Sequence, residues 1–322
     1  MEEIRIQKDD AGQRLDRFLR KYLKGATLPT IFKLIRKRQV TVNGKKSRPE
    51  IRLVEGDLLS LYFADRRLSE LRGPRTPAAT RTPPRVKVLY EDDDVLALNK
   101  PPFVLVHPGQ AKNEPTLLDF IAHHCPDSGS RTFSPALAHR LDRLTSGVVL
   151  VGKSAESLRA LTQAIRRSKV KKTYLALVSG PVPESKGEIR APLRRDDVSG
   201  DNRPKVRVDH KNGKRAVTRY EVLATSRGLS LLKLRLVTGR THQIRAHLRY
   251  LGCPVVGDPT YGNKGMNRLM QGRYSLWRQW LHAVEVALRH PITGADLHVR
   301  APVPDDLRRV LLGEGFDASV LH

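Results

Sequence analysis

One carboxylate stands out for what it could do. Asp142 lies between Arg140 and Arg143 in the string Ala138-His-Arg-Leu-Asp-Arg-Leu-Thr-Ser-Gly-Val-Val-Leu-Val-Gly152. A lone carboxylate set among arginines can attack an electrophilic carbon or steady a developing positive charge, and the arginines favour its charged form. The same string also suits a loop aspartate that merely pairs with its neighbours, and the residues alone leave both readings open. Tyr174 and Arg245 are two further groups with chemistry to offer. Tyr174 shares a strand face with Ala176 and Val178, so it is either a core tyrosine or a ring presented to a site. Arg245 follows the apolar Ile244 and sits at the rim of a helical stripe, facing a cleft or solvent. Metal chemistry finds little support. His242 and His247 are five residues apart, about 140° around a helix, too far for one ion. The acidic turn Glu91-Asp-Asp-Asp94 has consecutive side chains, which diverge in a tight turn.

These groups need elements to hold them. Val148–Val151 is a short β-branched and apolar run closed by Gly152, which predicts a buried strand and places Asp142 in the loop entering it. Ser154 is placed to cap a helix carrying Leu158, Leu161 and Ile165. That helix ends in Arg166, Arg167, Lys169, Lys171 and Lys172, more cations than a helix dipole asks for, so phosphate contact is expected there. Thr173–Val178 then reads as a strand. Thr241 is expected to cap a second helix, with Ile244, Leu248 and Leu251 as its buried stripe. Residues 194–214 read as a long basic hairpin loop, 257–262 as a structural turn and 263–278 as a loop. Leu232, Leu234 and Leu236 alternate with Lys233 and Arg235, which predicts antiparallel sheet with one wetter face.

The front of the chain is a separate small unit over residues 1–63. Leu15, Phe18, Leu19, Tyr22 and Leu23 recur at helical spacing. A second helix after Pro29 points Ile31, Leu34 and Ile35 inward and shows Lys33, Arg36 and Lys37 on another face. Val40-Thr-Val-Asn43-Gly44 predicts a strand ending in a tight hairpin turn. Residues 64–85, rich in proline and arginine, read as an extended linker holding neither helix nor central strand.

The net charge of +26 over 322 residues calls for a polyanionic partner, nucleic acid ahead of a membrane surface. Hydrophobic residues make up 39%, enough for globular domains and too many for a disordered chain. No apolar run approaches the ~18 residues of a membrane span, and the N-terminus lacks a secretory pattern. Two cysteines without metal-ligand spacing fit a reducing cytoplasm.

Three separated stretches carry a family resemblance. His139-Arg-Leu-Asp142-Arg-Leu-Thr-Ser-Gly147, Lys172-Thr-Tyr174 and Gly239-Arg-Thr-His-Gln-Ile-Arg245 occur in the order seen in RluA-type pseudouridine synthases. Asn99-Lys-Pro-Pro102 with Val106-His-Pro-Gly109 resembles a further segment of that family, which often has glycine where this chain has Phe103. Residues 13–62 resemble the S4 RNA-binding module, and the S4 unit together with Asp9-Asp-Ala-Gly-Gln-Arg14 points to the branch that modifies uridines of large-subunit ribosomal RNA.

The resemblance implies an α+β fold: a helix-helix-hairpin S4 domain, the linker, and a mixed, mainly antiparallel catalytic domain over residues 86–322. It implies Asp142 as the catalytic carboxylate, Tyr174 stacking on uracil near its C5 hydrogen, and Arg245 as the bidentate partner that orients Asp142. Arg140 would hold the space of a flipped base. Arg143, Lys172, Lys33, Arg36 and Lys37 would bind RNA. Isomerisation gains no electrons or groups, so no cofactor and no metal is expected. The expected partner is ribosomal RNA or a pre-ribosomal particle, met by a cytoplasmic monomer with no membrane contact. Two other readings stand beside this one. A non-catalytic ribosome-assembly factor, or a synthase acting on tRNA, would explain the charge and the S4 unit. A nucleoside hydrolase would need a second carboxylate, and the motifs supply none.

Overall fold

The computed structural model describes residues 1–73, 82–106, 114–126, 130–196 and 205–321. The N-terminal module consists of β1 (Glu2–Arg5), α1 (Leu15–Tyr22), α2 (Leu28–Arg36), β2 (Val40–Val42), β3 (Lys45–Lys46), β4 (Leu58–Leu61) and α3 (Asp65–Arg72). Its sheet runs β1-β4-β2-β3. Asn43 and Gly44 both take positive φ, as the tight turn between β2 and β3 demands. Leu15, Phe18, Leu19, Ile31 and Ile35 of the two helical stripes are buried with Ile4, Leu59 and Leu61 of the sheet.

Helix α3 corrects the linker reading. The prolines of residues 64–85 begin only at Pro74, and Asp65–Arg72 is a helix whose Leu68 and Leu71 bury against the same core. Gly25 makes the packing possible, since a Cβ there would meet the Glu70 carbonyl oxygen at 2.6 Å. Residues 74–81 lie outside the described residues.

The larger domain continues with β5 (Lys87–Glu91), β6 (Val95–Lys100), α4 (Leu117–His124), β7 (Ala136–Leu137), β8 (Ser146–Gly152), α5 (Ala155–Arg166), β9 (Lys171–Ser179) and β10 (Lys186–Arg190). Then come β11 (Leu193–Asp196), β12 (Lys205–Val208), β13 (Val217–Ser226), β14 (Leu229–Leu236), α6 (Gln243–Tyr250), α7 (Lys264–Tyr274), β15 (Leu281–Arg289), β16 (Asp296–Arg300) and α8 (Asp305–Gly313). The main sheet has the order β10-β13-β14-β9-β15-β8-β6-β5, with β16 on β15 and β7 on β8. Among the described strands of this sheet only the β8–β15 pairing is parallel, so the sheet is mixed and mainly antiparallel, as the alternating patterns predict.

Side-chain alternation divides the core between the two faces. Tyr174, Ala176 and Val178 of β9 pack with Val149, Leu234, Ile244 and Leu248 on one side. Leu175 and Leu177 pack with Trp280, Leu307 and Val310 on the other. Ser154 caps α5 with a reciprocal capping box, as expected.

Two local expectations fail. Residues 263–278 are not a loop: Asn263 caps α7 and Met270 anchors it in the core, a helix without a long apolar stripe to announce it. Thr241 does not cap α6. His242 takes that position in a left-handed conformation, φ 52, with no side-chain cap bond. Phe103, where the family often has glycine, also has positive φ, 67, which explains that preference. The basic hairpin is present as β11 and β12. Its tip, residues 197–204, and the His107-Pro-Gly109 segment lie outside the described residues.

The two domains meet through acids near the N-terminus. The Asp9 carboxylate accepts the Ala155 N–H at the start of α5 at 2.8 Å. The buried Asp10 accepts from the Ser130 hydroxyl (2.6 Å) and from the Thr132 N–H (3.2 Å) and hydroxyl (2.5 Å).

Candidate active site

Register brings the separated stretches together. Ser146 at the start of β8 pairs with His282 of β15, and His282 pairs with Leu175 of β9. The loop carrying Asp142 therefore enters the sheet beside Tyr174, while α6 supplies Arg245 to the same place. The result is a cavity of about 570 Å³ whose lining includes Asp142, Tyr174 and Arg245. Five more cations line it: Arg140, Arg166, Lys172, Arg215 and Arg240. Among the described residues Asp142 is the only carboxylate in the lining.

Arg245 holds Asp142, but not as expected. Its Nη1 donates to Asp142 Oδ2 at 3.0 Å, a single bond. The two-pronged contact goes to Asp258 instead, Nε to Oδ2 at 2.7 Å and Nη2 to Oδ1 at 2.8 Å. Asp258 has no exposed side chain and also accepts the N–H groups of Thr260 and Tyr261. Nor is Arg245 at a rim: its side chain is 5% exposed. The pairs with Asp258 and Asp142 raise its pKa against the opposing effect of burial.

Asp258 is the second acid that the motifs did not reveal. It does not line the cavity and its oxygens are fully engaged, so it makes no glycosidase pair with Asp142. The Tyr261 ring completes the arrangement, lying 5.0 Å from the Arg245 guanidinium carbon.

Helix α6 can bury six consecutive residues, Gln243 to Leu248, because its polar ones are satisfied. Gln243 Oε1 accepts from the Thr238 hydroxyl and Arg240 N–H, and Nε2 donates to the Val217 carbonyl and Thr218 hydroxyl. His247 bonds Thr218 and the Ala191 carbonyl, well separated from the role of His242.

The Asp142 loop is braced from below. Lys100 is fully buried and donates to the carbonyls of Pro101, Val104 and Arg143 at 2.9–3.0 Å, one acceptor for each ammonium proton. Burial, with Arg278 nearby, pushes its pKa down to about 7. Buried Arg278 is held in a fork by Asp306 and donates to the Leu144 carbonyl and the Ser146 hydroxyl. Gln279 donates to Thr145. Ser146 meets His282, whose pKa burial lowers to about 4. Gly147 is indispensable to this geometry. Its φ is +119, and a Cβ there would come within 2.1 Å of the Ala283 carbonyl oxygen.

Burial and the charge of Asp142 raise the pKa of Tyr174, keeping its phenol protonated. His139 accepts the Leu150 N–H and stays neutral, its pKa pushed to about 3 by burial with help from Lys172. Arg140 is exposed at the cavity wall. Arg143 is turned away from the cavity, donating to the Phe103 carbonyl and pairing with Glu114. Lys33 and Arg36 of α2, and Lys37 just after it, are exposed on the N-terminal module, not at the cavity. Among the described residues one group of metal-ligand side chains converges, Glu91, His124 and Cys125. None of them lines the cavity, and Glu91 already bonds His124 and Lys153.

A basic hollow around a lone carboxylate, reached by a tyrosine and a doubly anchored arginine, suits an enzyme acting on a polyanion. Residues 94–250 match the RNA pseudouridylate synthase family and residues 13–59 match the S4 domain. The chain belongs to the RNA pseudouridylate synthases, isomerases that convert uridine to pseudouridine. It is 36% identical over 326 residues to the ribosomal large subunit pseudouridine synthase C of Escherichia coli O157:H7, covering 96% of this chain and 95% of that protein. The enzyme of the same name from Pasteurella multocida (strain Pm70) is 34% identical, covering 96% and 92%. The solved structure of Human RNA Pseudouridylate Synthase Domain Containing 1 aligns with a TM-score of 0.55 at 27% identity, covering 68% of this chain and 84% of that one.

Proposed function

We propose that this synthase isomerises uridines of large-subunit ribosomal RNA, with Asp142 as the carboxylate that acts on the bond between ribose and base. The observation that carries the reading is the one acid facing six Lys and Arg side chains in the described lining of the cavity. The relatives named for the ribosomal large subunit, similar over nearly the whole chain, support the choice of RNA.

In this reading the target nucleotide leaves its stack and enters the cavity. Arg140, Arg166, Lys172, Arg215 and Arg240 surround it, suited to its phosphates. The ribose–N1 bond breaks while Asp142 engages the ribose carbon. The uracil then rotates and rejoins through C5, and the proton that C5 loses is balanced by the one N1 gains. Tyr174 stacks on the base, its protonated phenol close to C5. Arg245, pinned by Asp258, holds Asp142 in place before the substrate arrives, so little reorganisation is needed in the reaction.

The N-terminal module adds phosphate contacts through Lys33, Arg36 and Lys37, and residues from 86 onward form the catalytic domain. The enzyme works as a cytoplasmic monomer on ribosomal RNA, free or in an assembling particle. Among the described residues no helix is long and apolar enough to cross a membrane.

The test is tritium release from C5-labelled uridine in three substrates: unmodified large-subunit RNA, particles containing it, and tRNA. Release from the ribosomal substrates, with pseudouridine mapped to discrete positions, is expected. Release from tRNA alone would overturn the substrate assignment, and binding without release would overturn the enzymatic one.

A further inference from the structure

His242 is an αL residue with a full side chain, at the very step where α6 begins. Such a conformation is disfavoured for most residues and accumulates where a side chain must be aimed. Here the ring is aimed along a line of three groups. The Tyr261 hydroxyl accepts the N–H of Val206, in β12 of the basic hairpin, at 2.8 Å. The same hydroxyl meets His242 Nδ1 at 3.2 Å. On the far side of the ring, Nε2 faces Asp142 Oδ1 at 3.9 Å. Arg245 has already taken the other oxygen, Oδ2, and among the described residues Oδ1 has no hydrogen bond.

Proton counting favours one tautomer. The Tyr261 oxygen receives one proton from Val206 and carries one of its own. Donating that proton to Nδ1, the one ring nitrogen it meets among the described residues, leaves Nδ1 bare and the imidazole proton on Nε2. Burial lowers the pKa of His242, so the neutral ring is the relevant form. The charged groups acting on it are Asp142 and Asp258, which favour the cation, and Arg245 and Arg140, which oppose it.

We infer that His242 is a positioning residue for the reaction: locked by Tyr261 as the Nε2–H tautomer, it gives Asp142 Oδ1 a second donor when RNA closes the short gap between them. Contacts of this kind are commonly long without substrate and tighten in the complex. Arg245 and His242 then fix the two carboxylate oxygens from two directions, and one aim of the carboxylate remains. Tyr261 serves both, with its ring on Arg245 and its hydroxyl on His242. Through Val206 it also ties this aim to the basic hairpin. The inference rests on Asp142 being the reacting carboxylate.

Two measurements test it on the full-length protein. In ¹⁵N-histidine-labelled enzyme, long-range proton–nitrogen correlation reads the His242 tautomer directly, with the signal assigned by its loss in H242Q. A protonated Nε2 is expected, and Y261F, which keeps the ring and removes the hydroxyl, should release the ring to a mixture. A wild-type ring protonated on Nδ1 would overturn the inference.

The second measurement is the single-turnover rate of tritium release. Asparagine tolerates the αL backbone but is too short to reach Asp142, whereas glutamine places an N–H near Nε2. H242N is therefore expected to slow turnover by up to about 100-fold, with RNA affinity unchanged, and H242Q to recover most of the rate. H242N turning over at the wild-type rate would overturn the inference. Should D142N remain active, the assignment of Asp142 would fail, and the tautomer result would still report whether Tyr261 locks the ring.

Discussion

Replacing Asp258 with asparagine removes one negative charge from a place with no access to solvent. Arg245 is 5% exposed and Asp258 fully buried, so the guanidinium cannot recruit water in its place. Asparagine keeps one acceptor for the fork and turns an N–H₂ toward the other N–H, setting donor against donor. Breaking a buried ion pair from one side costs about 3–5 kcal/mol. Asp142 still faces Arg245 at 3.0 Å and offsets part of the lost charge, which favours the lower end. At a few degrees per kcal/mol for a domain of this size, the catalytic domain should melt on the order of 10 °C lower. Activity should fall with it, because Arg245 loses the anchor that aims it at Asp142.

The control is D142N. Its side chain is 24% exposed and Arg245 keeps both bonds to Asp258, so stability should change by no more than about 1 kcal/mol. Calorimetry and single-turnover tritium release on both variants separate the two roles. If D258N melted with the wild type, or if D142N proved the less stable of the two, Asp258 would not be the anchor.

Other consequences follow from individual residues. G147A should cost more than about 4 kcal/mol and leave little soluble protein, because Cβ and φ conflict together. G44A, where a Cβ meets nothing within 4 Å, should cost only about 1 kcal/mol, as denaturant titration will show. The buried His282 has a folded pKa of about 4 against an ordinary 6.5. Its contribution is thus complete above pH 6.5 and is lost as pH falls toward 4, by roughly 3 kcal/mol. H282Q should flatten the acid limb of stability over that window, and an unchanged limb would exclude His282 as its source. D10A, losing the bonds from Ser130 and Thr132, should free the N-terminal module and raise the radius of gyration in solution scattering, whereas an unchanged radius would show other contacts suffice.

What the sequence revealed followed local rules. Ser154 and the spacing of Leu158, Leu161 and Ile165 announce α5 without outside help. Asn43-Gly44 announces its hairpin in the same way. Alternation in β9 assigns Tyr174 to the face that packs with Ile244 of α6. Helix α7 stayed hidden because its burial rests on Met270, too little for a periodic stripe. Helix α3 was masked by the prolines that follow it.

The arrangement around Arg245 was the least legible. Its fork goes to an acid thirteen residues later, in a stretch that reads as an ordinary Gly-Asp-Pro turn. Nothing in that spacing singles out Asp258. Lys100, Arg278 and Gln279 brace the Asp142 loop from distant parts of the chain and become visible only in three dimensions. Spacing sets His242 and His247 aside as a metal pair, while the place of His242 at an αL helix start depends on a backbone angle that residue type alone does not set.

The role of Asp142 is tested most directly by comparing D142N with the wild type on unmodified large-subunit RNA. Tritium release and RNA affinity are followed together in the same preparation. Release is expected to stop while the RNA remains bound nearly as tightly as before, since the cations of the cavity are untouched. Release continuing at a measurable fraction of the wild-type rate would place the reacting carboxylate elsewhere.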